Sequence, residues 1–259
     1  MISLVTTYFG QPLMLAHQLR TWASYPEHVQ RHFRFVVVDD CSRTLSAYET
    51  MMNYGGTLPV GLMLYEVLDD RDWNQHGARN LAAREAATAW LLMLDIDHVL
   101  TAENATRLVD EVSAWRTVPV SRRWYKFPRE RIGAADETRT KDATHRHIDP
   151  TISRVPVNPA MNCFLTSRAA YWAAGGYNED FCGCYGGDSQ FLRELRLVAG
   201  EPVELSDVWL QVHTRHSVPD ANTIGLDRSP EPMRERLADM RGQSLRGHDP
   251  VRFKWRRVL

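Results

Sequence analysis

The sequence predicts an α/β protein with a mainly parallel central sheet and helices on both faces. Three observations predict it. Short apolar, β-branched runs alternate with helix-length segments through the first 112 residues. Acidic residues directly follow the second and the fourth of those runs. A chain of 259 residues, 44% hydrophobic and 24% charged, is long and apolar enough to bury one large core.

The elements follow in order. Ile2 to Thr6 reads as a buried strand. Pro12 opens a helix whose apolar residues Leu15, Leu19 and Trp22 recur at helical spacing. Phe33 to Val38 is a second strand, ending at Asp39 and Asp40, and a helical segment spans Leu45 to Met52. Leu62 to Val67 is the third strand. His76 to Ala89 is alanine-rich and favours helix. Trp90 to Leu94 is the fourth strand. Ala105, Leu108, Val109 and Val112 mark another amphipathic helix. The second half is less regular. Val118 to Asp149 reads as long loops with one short strand at Trp124 to Phe127. Met161 to Thr166 reads as a strand, Arg168 to Ala174 as a short helix closed by Gly175 and Gly176, Asp188 to Val198 as a helix, and Trp209 to His213 as a last strand. The tail from Ser217 is polar and ends in a basic run.

Net charge is −1, which argues against a uniformly basic nucleic-acid binder. The four cysteines, Cys41, Cys163, Cys182 and Cys184, form no dense framework. The N-terminus lacks a signal-peptide pattern, and no run approaches the ~20 apolar residues of a membrane span. The expectation is a cytoplasmic protein with reduced thiols.

In open α/β sheets, ligands bind beyond the carboxyl ends of the strands. Thr6, Thr7 and Tyr8, then Asp39 and Asp40, then Asp95 would gather there if the sheet is parallel. In WLLMLDIDHVL, Asp95 and Asp97 stand two apart, on one face of an extended chain. Two such carboxylates repel unless a cation lies near. Mg²⁺ or a similar hard ion takes few protein carboxylates and completes its shell with water and phosphates. The competing reading makes Asp97 a turn cap and Asp95 a solvated strand end.

Four segments carry a resemblance: FRFVVVDDCS, NQHGARNLAAREA, LLMLDIDHVL and GGYNEDFCGCYGGDSQFLREL. In order and spacing they resemble the GT-A (Rossmann-like) glycosyltransferases, the family-two group with a galactosyltransferase-type C-terminal motif. The resemblance covers roughly residues 2 to 213. It implies a hexosyltransferase-like enzyme that moves a sugar from a nucleotide-diphosphate sugar, UDP-linked by preference, to an acceptor hydroxyl with inversion. It implies that Asp40, with Asp39 beside it, contacts the base or ribose, that Thr6 and Tyr8 flank the base, and that Arg79 and Asn80 lie near the donor. It makes Asp95, Asp97 and His213 ligands of Mn²⁺ or Mg²⁺, with His216 the rival of His213, and makes Asp188 the general base. Residues 1–115 become the nucleotide-sugar half, 116–216 the acceptor half of the same domain, and 217–259 a tail. Cys184 and Gly187 depart from the family's tryptophan and glutamate, which leaves the acceptor class open.

The same residues have plainer readings. Asp188 could be a helix N-cap and Asp39 and Asp40 could cap the next helix. Arg79 and Asn80 could be surface residues, and His213 a satisfied core histidine. Trp172 and Tyr177 read as core packing. His145, His147, Cys182 and Cys184 lack the usual zinc spacings. Arg116, Arg122, Arg123, Trp124, Tyr125, Lys126, Phe127, Arg129 and Arg131, with Arg252, Lys254, Trp255, Arg256 and Arg257, interleave cations and aromatics. That suits a nucleic-acid acceptor with a hydroxymethylated base, or a merely solvated loop and tail. The alternatives are a nucleotidyltransferase, which would want a cation in the loop after strand one, and a non-catalytic nucleotide- or glycan-binding module.

Overall fold

Seven consecutive buried residues, Ile2–Tyr8, form strand β1. Runs of the same kind form β2 (Phe33–Asp39), β3 (Leu62–Val67) and β4 (Trp90–Leu94). The structure is a computed structural model, and it describes residues 1–115, 123–132, 154–157, 160–183, 186–215, 217–221, 235 and 249–259. β1 pairs in parallel with β2 and β4, and β2 in parallel with β3. The register sets Thr6 between Val37 and Leu94, so the carboxyl ends of these strands share one edge. Both faces are covered, as parallel strands require. Ile2, Leu4 and Tyr8 join one apolar cluster with Phe35 and Val37, while Val5 joins another with Val36 and Val38.

Helices supply the covering layers. α1 (Pro12–Ala23) buries Leu15, Leu19 and Trp22, and Trp22 stacks on Phe35 with ring centroids 5.0 Å apart. Its first turn is capped from far away, because the carboxylate of Asp220 accepts from the backbone N–H groups of Leu13 and Met14 at 2.7 and 2.9 Å. A single turn, α2 (Glu27–Gln30), leads into β2. α3 (Ala47–Met52) begins with a reciprocal cap between Ser46 and Glu49. α4 (Gln75–Glu85) is buried on every side from Gln75 to Ala83, which its small alanines permit. α5 (Ala102–Ala114) turns Ala105, Leu108 and Val109 inward.

The remaining elements are shorter: β5 (His98–Leu100), β6 (Trp124–Lys126), β7 (Arg129–Ile132), β8 (Arg154–Val157), β9 (Phe164–Ser167), α6 (Arg168–Ala173), α7 (Gly187–Ala199), β10 (Val203–Glu204), β11 (Leu210–His213) and β12 (Trp255–Arg257). The central sheet has the order β10-β6-β9-β4-β1-β2-β3-β12. It is mixed, since β9 runs antiparallel to β4 and β6, and β12 antiparallel to β3. Both reversed strands enter from the carboxyl edge, so neither needs the crossover helix that a parallel neighbour requires.

In a second sheet, β5-β11-β7-β8, only β11 corresponds to a strand that the sequence predicts, Trp209 to His213. This sheet grows directly from the end of β4. β11 pairs with β5, and the backbone N–H of His213 donates to the carbonyl of Asp97 at 2.8 Å. The final residues, read from sequence as a solvated tail, instead add the edge strand β12 to β3. Among the described residues no helix is long and apolar enough to cross a membrane.

Candidate active site

At the carboxyl edge of β2 the two adjacent aspartates do different work. Asp39 is buried and spent on the backbone: one oxygen accepts from Ser42 N at 2.9 Å, the other from Ala47 N at 2.7 Å. It thereby shapes the turn and caps α3. Asp40 is also buried, but its Oδ1 has no partner. Burial pushes its pKa up to about 7, opposed by the backbone N–H of Asn74 and aided by the charges of Asp39 and Asp70. Thr6 Oγ1 is likewise buried without a partner. A buried polar atom left unsatisfied is costly, which makes these two atoms candidates for a ligand's hydrogen bonds. Tyr8 differs. Its ring lies in the core, and its hydroxyl reaches the carbonyl of Leu45 and, at 3.2 Å, Thr50.

α4 carries Arg79 into the centre of the edge. The guanidinium is 1% exposed and pairs with Asp95 at the end of β4 and, at 3.3 Å, with Asp188 in the first turn of α7. It also donates to the hydroxyl of Tyr177 at 3.2 Å. Burial alone would favour the neutral guanidine, but Tyr177, Asp95 and Asp188 outweigh it and hold Arg79 charged. Asp95 accepts a second bond, from Gln75 at 3.0 Å. Asp188, 6% exposed, faces His76 Nε2 at 3.5 Å, and the amide nitrogen of Asn162, turned toward it, donates to both oxygens at 2.8 and 3.0 Å. Burial raises the pKa of Asp188, yet His76, Arg79 and Asn162 bring it below the ordinary carboxylate value. A side chain at Gly187 would place its Cβ 2.7 Å from His76 Nε2, so the absence of a side chain there lets the imidazole in.

Asn80 lies one residue on and is fully engaged within the protein. Its Oδ1 accepts from Tyr171 and from Tyr177 N, while its Nδ2 donates to Tyr177 O and Glu179. It braces the site.

Asp97 sits on the other side of Asp95. One oxygen meets His98 Nδ1 at 2.7 Å, and His98 Nε2 meets Arg129 at 2.7 Å. Arginine can only donate, so Nε2 accepts and Nδ1–H donates to Asp97. His213 packs its ring against His17, centroids 4.5 Å apart, and gives Nδ1 to Ser217 at 3.1 Å. Burial, reinforced by His17, lowers its pKa to about 4, so it is a neutral imidazole at physiological pH. Its Nε2 is buried and has no partner. A neutral imidazole nitrogen without a partner, close to the Asp97 carboxylate, fits a divalent cation. Asp95, His98 and Cys163 also cluster within 4.8 Å. Both ring nitrogens of His98 are engaged, by Asp97 and Arg129, and Oδ1 of Asp95 by Arg79 and Gln75, so of this trio His98 is not open to a cation and Asp95 keeps its second oxygen.

The structure therefore brings Arg79, Asp95 and Asp188 into one bridge and sets Asp97 beside His213. It leaves Asp39, Asn80 and Tyr8 holding the scaffold. His76, Gln75 and Asn162 were not singled out from sequence. His76 stands three residues before Arg79 and so on the same helical face, a signal that was there to read. Tyr177 is core packing, as read, and also a partner of Arg79. His216, His145, His147, Cys184, Arg116 and Arg122 lie outside the described residues. Cys182 donates to Asp72 O at 2.7 Å. The aromatic members of the basic cluster, Trp124, Tyr125 and Phe127, are buried. In the tail, Arg252 pairs with Asp180 and Arg256 with Glu66.

Comparison with known proteins gives the family and the fold. Residues 19–173, more than half of the chain, match the family model described as glycosyl transferase family 2. S. aureus TarS 1–349 in complex with UDP-GlcNAc is similar at 15% identity and TM-score 0.62, covering 90% of this chain and 63% of that one. The mannosyltransferase PcManGT from Pyrobaculum calidifontis, in complex with GDP-Man and Mn²⁺, matches at 15% identity and TM-score 0.53, covering 81% and 56%. GalNAc-T7 with UDP, GalNAc and Mn²⁺ matches at 16% identity and TM-score 0.54, covering 82% and 44%. At these identities the likeness is one of fold, and the chain spans between 60% and 63% of the length of the TarS 1–349 chains. No curated protein sequence matches it.

Proposed function

This chain belongs to glycosyl transferase family 2, and from that premise we propose a metal-dependent, inverting transfer of a sugar from a nucleotide-diphosphate sugar, UDP-linked by preference, to an acceptor hydroxyl. The observation that carries the proposal is the buried, unpartnered Nε2 of His213, a residue whose backbone N–H bonds the carbonyl of Asp97 at 2.8 Å, together with the Asp95–Arg79–Asp188 bridge. Asp97 and His213 would hold Mn²⁺ or Mg²⁺, with Asp95 contributing from its place beside Arg79. The cation supplies neutralisation of the leaving diphosphate.

The chain's own residues do the rest. Asp40 and Thr6 offer their open oxygens to the nucleoside. Arg79, fixed and charged, adds positive potential where the diphosphate charge develops. Asp188, kept ionised by His76, Arg79 and Asn162, takes the proton of the acceptor hydroxyl as its oxygen attacks the anomeric carbon and the nucleoside diphosphate departs from the opposite face. The buried state of Trp124, Tyr125 and Phe127 removes the stacking surface that a nucleic-acid acceptor would use, and favours a glycan or another soluble hydroxyl.

Thermal unfolding with UDP or GDP, each with and without Mn²⁺, tests the reading. A ligand at ~100 times its dissociation constant adds about 2.7 kcal/mol and raises the midpoint by roughly 5–10 °C. A shift that needs both nucleotide and metal is expected, UDP exceeding GDP. No shift with any pair overturns the proposal. In the responsive protein, Asp188→Asn is expected to keep that shift and lose about 10²–10⁴-fold in transfer rate.

A further inference from the structure

The chain end packs over the site although it lies outside the residues that match the family. Glu179, in a 3-10 turn (Glu179–Phe181) ahead of α7, is buried, and both of its carboxylate oxygens face inward. One accepts from Val251 N at 2.5 Å and from Asn80 Nδ2 at 2.9 Å; the other accepts from Arg252 N at 3.1 Å. Val251 adopts φ +66, a backbone conformation that costs energy in a β-branched residue and turns its N–H toward Glu179. Arg71 donates to Arg252 O at 2.8 Å, and Lys254 N donates to Asp69 at 3.1 Å. Phe253 presses on the first turn of α4 so closely that a Cβ at Gly77 would fall 2.6 Å from its ring. β12 then fixes the segment to the sheet.

We propose that Glu179 is a positioning residue through which residues 251–259 set the Arg79 bridge; the proposal rests on the glycosyltransferase reading above. The path is continuous. Glu179 holds Asn80 at 2.9 Å, and Asn80 holds both the carbonyl and the N–H of Tyr177, at 2.8 and 2.9 Å. The hydroxyl of Tyr177 takes a bond from Arg79 at 3.2 Å, and Arg79 spans Asp95 and Asp188. The links from Glu179 through Asn80 and Tyr177 to Arg79 and Asp188 are buried, so competing water does not loosen them. Asn80 has no spare hydrogen-bonding position with which to compensate if Glu179 lets go.

Glu179→Gln in the full chain tests this, because the amide keeps the shape but must set its NH2 either against Arg252 N or against Val251 N and Asn80 Nδ2, donor facing donor. The expected result is a fall of at least about ten-fold in kcat with the donor KM within about two-fold, since the Asp40 and Asp97 sides are untouched. Glu179→Asp, which keeps both acceptor oxygens on a shorter stem, recovers part of the loss. Amide exchange across residues 177–181 rises in the Gln variant with or without donor. An unchanged kcat in a folded Gln variant overturns the proposal, and so does a loss that only tracks the unfolded fraction. Unchanged exchange across 177–181 overturns it even in a protein that transfers nothing. A wild-type chain without transfer or metal-dependent nucleotide binding condemns the parent reading instead, and the exchange result then stands alone.

Discussion

Two acidic pairs end strands of the same sheet, Asp39–Asp40 after β2 and Asp95–Asp97 after β4, and each divides its labour in the same way. One carboxylate is spent inside the protein: Asp39 on Ser42 and Ala47, Asp95 on Arg79 and Gln75. The other keeps something open: Asp40 an unpartnered oxygen, Asp97 a place near the free nitrogen of His213. The pairs differ in the currency of the spent member. Asp39 is repaid in backbone bonds, which shape a turn. Asp95 is repaid by a buried cation that also serves Asp188. Each acidic doublet is thus one scaffold residue and one ligand residue, and in both the first member serves the scaffold and the second faces the ligand.

The largest effect belongs to the cation. Arg79→Leu leaves Asp188 buried without its counter-charge, which costs about 3–5 kcal/mol. For a chain of this size the melting midpoint falls by about 10 °C. A fall under about 3 °C would show that Asp95 is not tied down by Arg79, and the contrast with Asp97 would collapse.

The second doublet can be split by substitution. Asp95→Asn weakens a charge-assisted bond to a buried group and lowers stability of the metal-free protein by about 1–3 kcal/mol. Asp97→Asn, whose amide oxygen can still accept from His98 Nδ1–H, costs less stability than Asp95→Asn and weakens Mn²⁺-dependent nucleotide binding by about 10–100-fold, read by calorimetry. The reverse pattern would exchange their roles.

The first doublet is split by pH. Asp39→Asn loses part of the cap of α3, about 1 kcal/mol, at every pH above the carboxylate range. Asp40, pushed up to about 7 by burial, keeps in the folded chain a proton that the unfolded chain releases near 3.8. Its contribution to stability is therefore full at acid pH and declines as pH rises from about 4 to 7. His213 works the other way. Lowered to about 4 from 6.5, it contributes above pH 6.5 and loses that contribution as pH falls toward 4. Between those limits the two trends oppose. Asp40→Asn should leave a chain whose urea midpoint drops on acidification, and His213→Gln one whose midpoint rises. If Asp40→Asn reproduces the wild-type profile, Asp40 has no unmet burial and the doublet is symmetrical after all.

Much of the first 115 residues was legible because burial on both faces writes strands as unbroken apolar runs. Of the second sheet only β11 is legible, as the run Trp209 to His213; its other strands are too short to show a period, and all of them pair with distant segments. The end of β1 is hard to read for a related reason. β1 runs on to Tyr8 and not only to Thr6, so the ring belongs to the pleat and points into the core. Asp188, Arg79 and Asp95 were each marked, but that one guanidinium joins the other two depends on where α4 and α7 pack. The chain end was read as solvated because its charges dominate RFKWRRV; the alternation of Phe253 and Trp255 with cations was the strand signal.

That last strand has a consequence in time. Glu66 and Arg256 are 190 positions apart, yet β3 and β12 pair directly. During synthesis, β1 to β4 emerge and can pair long before residues 251–259 leave the ribosome. For that interval the edge of β3 is bare and Glu179 lacks its backbone donors. A nascent chain can thus be largely folded while its site is still loose, and the closing contact spans a loop whose entropy grows only logarithmically with length. Whatever guards β3 from pairing with another chain in that interval, such as a chaperone or simple speed of translation, decides the yield of the finished protein.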